Sequence, residues 1–229
     1  MVLLKFFVPL AVIIILVVPV PIMGQESYIS LDSLINAAEQ GDAESQYELG
    51  TRYFLGDDVS QDYAEAAKWF LKAAEQGHIE AQYYLGMLYR DGKGVPQYYL
   101  DAAKWCRKAA EQDYSAAQNM LGDLYFNGLG VAQDYSEAVK WYRRAAEQGY
   151  GNSQNNLGNM YADGLGVPRD YIQAHMWFNL ASTISEGKLG EEAANNRDSV
   201  AKIMTEEQIS TAQRLAGEWM GKHKNLEVN

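Results

Sequence analysis

Cysteine and histidine are scarce in this sequence of 229 residues, which contains one cysteine and three histidines. Cys106 is the single cysteine, so no disulfide can form within the chain. The histidines are widely separated, and the sequence has no HExxH motif, no CxxC motif and no serine–lysine pair suited to catalysis. Zinc chemistry and nucleophilic catalysis therefore have no candidate residues. We predict a protein that is not an enzyme and that binds no metal and no cofactor.

Basic residues are also few, with 19 lysines and arginines against 30 aspartates and glutamates and a net charge of −11. A surface of this sign repels nucleic acid and anionic lipid, so neither is expected as a partner. The simplest role for the excess negative charge is to keep the protein soluble.

Charge is absent from an apolar stretch near the N-terminus, residues 6 to 23, which follows a single Lys5. The pattern predicts a secretory signal peptide over residues 1–24, with cleavage after Gly24. The alternative is an uncleaved anchor, because the stretch approaches the roughly 20 residues that span a bilayer. Pro19 and Pro21 favour cleavage, since proline breaks a helix where a membrane span should continue.

This segment decides the expected location. Its removal takes Lys5 with it and changes the net charge from −11 to −12. No cysteine follows the apolar run, which disfavours a lipid-anchored lipoprotein. We therefore predict an exported protein, periplasmic or secreted, that contacts a membrane only if the segment remains as an anchor.

A pattern of thirty-six residues occurs four times in the chain. A tryptophan marks each copy, at Trp69, Trp105, Trp141 and Trp177. A leucine–glycine pair does the same, at Leu49-Gly50, Leu85-Gly86, Leu121-Gly122 and Leu157-Gly158. A fixed period of this length indicates a solenoid, in which each unit buries its apolar face against its neighbours. The four predicted units are residues 38–73, 74–109, 110–145 and 146–181.

The sequence of each unit predicts two helices. The first, the A helix, covers residues 42–54 of the first unit and places Leu49 and Tyr53 on one side. Glycine within a helix costs roughly 1 kcal/mol relative to alanine, so Gly50 needs a packing reason, and we infer close approach of the second helix. A Gly-x-Gly-Val loop, such as residues 128–131, then ends the A helix and reverses the chain.

The second helix of a unit, the B helix, begins near an aspartate in the first, third and fourth units. Asp62 with Glu65 has the spacing of a capping box, and Tyr98 replaces the aspartate in the second unit. Alanine and aromatic residues follow at helical spacing, and Cys106 occupies an aromatic position of the second unit. We therefore predict a buried thiol and not a nucleophile or metal ligand.

Four motifs at this period, LG-x-x-Y, G-x-GV, D-Y-x-E-A-x-K-W and A-A-E-Q-G, closely resemble the Sel-1-like repeat family over residues 38–181. The tetratricopeptide repeat is disfavoured because its period is about 34 residues. The resemblance implies an all-α fold, a right-handed α/α superhelical solenoid related to tetratricopeptide proteins. It also implies a scaffold for protein complexes.

One disulfide-rich branch of that family includes proteins described as β-lactamases or penicillin binders, which makes a hydrolase the alternative function. This chain lacks the two cysteines per repeat of that branch. An activity carried over from it would rest on the fold alone.

The segments outside the repeats predict helical caps. Residues 25–37 form an N-terminal capping half-repeat, and residues 182–229 form a C-terminal helical cap and tail. Two helices are expected in the latter, near residues 190–204 and 205–221, and Thr205 with Gln208 predicts a capping box for the second.

Partner-binding residues are predicted on the A helices, which line the concave side of a two-helix solenoid. The candidates face outward and differ between units, at Tyr47, Glu48, Thr51, Tyr83, Tyr84, Met87, Asn119, Met120, Asp123, Asn155, Asn156 and Asn159. Their change from aromatic to amide suits a protein or peptide partner with apolar anchors and a hydrogen-bonded backbone. The alternative is that some of them pack between neighbouring A helices. A glutamine that never varies is assigned to the repeat itself, at Gln46, Gln82, Gln118 and Gln154.

Overall fold

The computed structural model describes residues 30–223, and every regular element within them is an α-helix. Eleven helices occupy this part of the chain: α1 (Leu31–Glu39), α2 (Ala43–Leu55), α3 (Tyr63–Glu75), α4 (Ile79–Asp91), α5 (Tyr99–Ala110), α6 (Ser115–Asn127), α7 (Tyr135–Glu147), α8 (Gly151–Asp163), α9 (Tyr171–Ile184), α10 (Gly187–Ala201) and α11 (Glu206–Lys222). The predicted signal segment, residues 1–24, lies outside the described residues. None of the helices found in residues 30–223 is both long and apolar enough to cross a membrane.

The helices pack in chain order, which confirms the predicted all-α solenoid. The A helices α2, α4, α6 and α8 alternate with the B helices α3, α5, α7 and α9, and each helix packs against the one before it and the one after it. Helix α1 covers the first A helix. At the other end, α10 packs against α8 and α9, in the place that a fifth A helix would take.

Side-chain caps fix where most B helices begin. The Asp62 carboxylate accepts hydrogen bonds from the backbone N–H groups of Ala64 and Glu65, at 2.9 and 3.1 Å. The predicted capping box is half formed, because the Glu65 carboxylate contacts Lys68 Nζ at 3.2 Å. Helix α5 starts at its Tyr98 cap without a side-chain hydrogen bond, as its sequence predicts.

The C-terminal helices begin close to their predicted positions. Thr205 and Gln208 form the complete capping box at the start of α11. Helix α10 begins at Gly187, three residues earlier than expected, because only Ser185 and Glu186 connect it to α9.

The glycine of each leucine–glycine pair lies against the B helix of its own unit. A Cβ on Gly122 would stand 2.6 Å from the Tyr142 ring, so the second helix approaches closely through an aromatic side chain and not through its backbone. The same contact joins Gly50 to Phe70 and Gly158 to Phe178. In the second unit the small Cys106 replaces the ring, and there a Cβ on Gly86 would also stand 3.2 Å from the Ala102 carbonyl oxygen.

The Cys106 thiol is fully buried, as predicted. Its sulfur lies 3.1 Å from the Met120 sulfur. Burial raises the pKa of Cys106 to about 12, which keeps the thiol protonated and unreactive at neutral pH.

Helix α11 closes the C-terminal end by covering an apolar face of the last B helix. Earlier B helices hold a cation over their tryptophan rings, with Lys72, Lys108 and Arg144 lying 3.7, 4.3 and 4.7 Å from the ring centroids. Helix α9 has Leu180 at that position and Met176 one turn before it. Ala212 and Ala216 of α11 join the apolar cluster that contains both side chains. The solenoid therefore ends where lysine and arginine give way to apolar residues.

We predict that Gly122→Leu lowers the free energy of unfolding by about 1–3 kcal/mol or more, because the new side chain must displace the Tyr142 ring. Gly217→Leu is the matched control, since a Cβ at Gly217 of α11 meets nothing within 4 Å. Urea unfolding followed by circular dichroism measures both. A midpoint for Gly122→Leu that coincides with the parent's would contradict the packing account.

Candidate partner-binding face

The structure places all twelve predicted site residues on the A helices α2, α4, α6 and α8. Ten are half-buried, but Met120 and Asn155 are only 2% and 4% exposed and cannot offer their side chains to a partner. The outward orientation predicted for these two residues is therefore wrong. Met120 turns inward beside the small Cys106. Asn155 is held by α10, where it donates to Glu192 Oε1 at 3.3 Å and accepts from Asn196 Nδ2 at 3.1 Å.

Five half-buried rings form a connected surface over the first units. This aromatic patch consists of Tyr47, His78, Tyr83, Tyr84 and Tyr114. Tyr47 stacks on His78 with 4.4 Å between ring centroids, and Tyr84 lies 6.1 Å from Tyr47. Tyr83 lies 5.4 Å from Tyr84 and 5.3 Å from Tyr114, which completes the chain of contacts.

Sequence reasoning missed His78 and Tyr114, which are the N-cap residues of α4 and α6. The available signal was the period itself, because the two residues lie thirty-six apart and Tyr150 follows at the same interval. The inter-unit turns thus contribute rings to the same face as the A helices.

Tyr84 packs more deeply than a purely surface residue. Its ring stacks on Phe70 with centroids 5.3 Å apart and lies 5.5 Å from the Phe54 ring. With its contacts to the neighbouring tyrosines, Tyr84 therefore fills space between units. Tyr84 and Met120 therefore pack between helices, which was the alternative to an outward, partner-binding role.

The hydroxyl groups of Tyr83 and Tyr114 are suited to recognition. Burial raises the pKa of Tyr83 to about 12 and that of Tyr114 to about 12, so both keep their protons. Neither hydroxyl hydrogen-bonds to another residue within 30–223. Both can therefore donate to a partner.

A polar pocket follows the aromatic patch along the chain, between α6 and α8. Its volume is about 290 Å³, and its lining residues are Asp123, Phe126, Asn127, Tyr142, Asn156, Asn159 and Met160. Three of these belong to the predicted site, namely Asp123, Asn156 and Asn159. The change from aromatic to amide seen in the sequence is thus a change from a ring surface to a cavity that combines carboxylate and amide groups with the Phe126 and Met160 side chains.

Neutral donors surround the Asp123 carboxylate. Oδ1 accepts from the Tyr142 hydroxyl at 2.7 Å and from Asn156 Nδ2 at 3.4 Å, and Oδ2 accepts from Asn119 Nδ2 at 3.2 Å. Burial raises the pKa of Asp123, and the hydrogen bond from Tyr142 partly offsets this rise. The Tyr142 pKa is raised by burial and by Asp123, so the phenol remains a donor.

The invariant glutamines join the units, as expected from their constancy. Each is buried and donates to a backbone carbonyl eight residues earlier, as Gln118 does to Ala110 at 3.1 Å. The next unit adds a second bond, from Gln148 Nε2 to Gln118 Oε1 at 2.7 Å. This ladder stops at Gln154, whose Oε1 has no partner within residues 30–223 because Ile184 replaces the donor glutamine.

No group of three or more His, Cys, Asp or Glu side chains within residues 30–223 could hold a metal ion. The family model described as Sel1 repeat matches residues 43–78, 79–114, 115–150 and 151–183, more than half of the chain. This chain belongs to the Sel1 repeat family. Each matched repeat begins at the first residue of an A helix, five residues after the start of the unit drawn from the sequence.

Three proteins similar to this chain come from bacteria. The secretory immunoglobulin A-binding protein EsiB of Escherichia coli O6:H1 is 43% identical over 53 residues, 23% of this chain and 10% of EsiB. A protective antigen of uropathogenic Escherichia coli with an SLR fold has 31% identity and a TM-score of 0.56, over 86% of this chain and 49% of the antigen.

A Sel1 repeat protein from Oxalobacter formigenes matches with 30% identity and a TM-score of 0.62, over 77% of each chain. This chain spans about half of the antigen and a tenth of EsiB. Sel1 repeat proteins typically act as scaffolds for protein interactions.

We predict that Tyr84→Ala lowers the free energy of unfolding by about 2 kcal/mol, because the ring contacts both a B helix and the neighbouring A helix. Asn159→Ala should stay within about 0.5 kcal/mol, since Asn159 is half-buried at the pocket. Thermal unfolding of both variants measures the contrast. Equal stability of the two would show that the Tyr84 ring does not join the units.

Proposed function

We propose that this chain is an exported, non-catalytic scaffold that binds a protein or peptide partner on the A-helix face. The observation that supports this most is the contrast between constant and variable positions. Tryptophan, the buried glutamine and the leucine–glycine pairs repeat in all four units, whereas the A-helix row differs in each one. The residues repeated in every unit serve the fold, and the variable row contributes to the aromatic patch and to the polar pocket.

The aromatic patch suits the anchoring part of such an interface. Tyrosine offers a large contact area with little conformational entropy to lose, and it is enriched among residues that dominate binding energy. The protonated hydroxyls of Tyr83 and Tyr114 would donate to carbonyl groups of the partner. Apolar contact and directional hydrogen bonds would then come from the same side chains.

A protein partner outside the cytoplasm agrees with the name of one relative. EsiB is described as binding secretory immunoglobulin A, although only 53 residues match. In this proposal residues 1–24 direct export, the mature protein is periplasmic or secreted, and neither nucleic acid nor a cofactor takes part. No observation favours the hydrolase alternative.

Removal of two hydroxyl groups tests the proposal without disturbing the rings. Residues 25–229 are used to capture proteins from a bacterial envelope extract, alongside the double variant Tyr83→Phe and Tyr114→Phe. Loss of two hydrogen bonds of about 0.5–1.5 kcal/mol each predicts capture weakened by roughly tenfold.

Tyr98→Phe is the matched control, because Tyr98 precedes the B helix α5 and is 51% exposed. Its capture should equal that of the parent. Unchanged capture by the folded double variant would place the binding surface elsewhere.

A further inference from the structure

We propose that the polar pocket receives one basic side chain, a lysine or an arginine, of the bound partner. This inference rests on the proposed function, because it assigns the chemistry of one subsite on the same face. Three features of the pocket support this inference. A pair of its residues is peculiar to the third unit, its carboxylate has no cation beside it, and its free volume is lined by oxygen atoms that can still accept hydrogen bonds.

The pair is Asp123 and Tyr142. Asp123 stands where the other units have threonine, methionine or asparagine, and Tyr142 stands where they have phenylalanine or cysteine. Both departures from the repeat meet at one hydrogen bond of 2.7 Å. The Tyr142 ring alone fills the place against Gly122, as phenylalanine does in two other units, so the solenoid does not require the carboxylate.

Nothing positive touches the carboxylate. Asp123 forms no ion pair within residues 30–223. The Arg90 charge lowers the pKa of Asp123 without contact, and Arg90 Nε is itself bound to Asp91 Oδ1 at 2.6 Å. Its three donors are neutral amide and phenol groups. A half-buried charge held only by neutral donors attracts a cation more strongly than an exposed carboxylate does, because less water screens it.

The cavity has room for one basic side chain. Its volume of about 290 Å³ lies just below the range for small-molecule sites, about 300–1,000 Å³. Asn159 makes no hydrogen bond within the described chain, so its carbonyl oxygen can accept from an ammonium or guanidinium group. One carboxylate supplies too few charged oxygens for calcium, which takes about 6–8 oxygen ligands.

The test titrates the ¹⁵N-labelled protein with Nα-acetyl-lysine amide or Nα-acetyl-arginine amide, and follows the side-chain amide signals of Asn156 and Asn159 by NMR. Nα-acetyl-norleucine amide is the uncharged control probe. A basic probe should shift both signals with a Kd on the order of 1–10 mM, as suits a single side chain. Norleucine amide should bind at least tenfold more weakly.

Variants test whether the Asp123 carboxylate is responsible for binding of the probe. Asp123→Asn should weaken the basic probe at least tenfold, whereas Asp101→Asn, which removes the same charge from the B helix α5, should leave binding unchanged. If the spectrum of Asp123→Asn shows an unfolded chain, Asn159→Leu replaces it, since this change blocks the cavity and keeps the carboxylate. Loss of binding in that variant supports the proposal, and retention overturns it.

Two further results would overturn the inference: equal binding of norleucine amide, or no shift with either basic probe up to about 50 mM. Partner capture distinguishes this failure from that of the scaffold function. Capture that Tyr83→Phe with Tyr114→Phe weakens but Asp123→Asn leaves unchanged would overturn the basic subsite and leave the scaffold proposal standing.

Discussion

The contact between a B-helix ring and an A-helix glycine is the constraint on which the rest of the structure depends. In three units the ring lies where a glycine Cβ would stand, as Tyr142 does against Gly122, and this contact sets how closely the two helices of a unit approach. The second unit, which lacks the ring, shows what else depends on this contact. In the second unit Cys106 leaves room, the α5 backbone comes within reach of Gly86, and Met120 turns inward to contact the thiol. A change in the core thus removes a side chain from the proposed binding face.

Polar contacts then join units that apolar packing alone would leave free to slide. Each buried glutamine donates backwards to a carbonyl, and the first three also accept a hydrogen bond from the next unit, which specifies one register between neighbours. The ladder ends at Gln154, where Ile184 supplies no donor. The end of the ladder coincides with the loss of the cation over tryptophan on α9 and with the arrival of α10 and α11. The C-terminal end of the solenoid is therefore closed where the donor glutamine and the cation over tryptophan, which would continue the repeat, are replaced.

Most of the repeating frame could be predicted from the sequence, because the same physical cause acts four times at one period. Loop glycines end the four A helices in the left-handed conformation, and the invariant glutamines serve the repeat, as expected. Individual site residues were harder. Met120 is buried because of Cys106, and Asn155 is buried because α10 packs on it, so both depend on neighbours that break the repeat. His78 and Tyr114 were missed because the compared row of A-helix positions starts at Tyr47 and leaves out the cap position, where the first unit has Asp42 and no ring.

The A-helix face as the partner surface is the central claim, and hydroxyl-radical footprinting of the captured complex tests it most directly. Oxidation of side chains reports their exposure one residue at a time. The account predicts that the partner slows oxidation of Tyr47, Tyr83 and Tyr114 and leaves that of Tyr98 unchanged. Unchanged oxidation of the three tyrosines, with protection confined to the B helices or to Trp219 of the C-terminal helix α11, would contradict this claim.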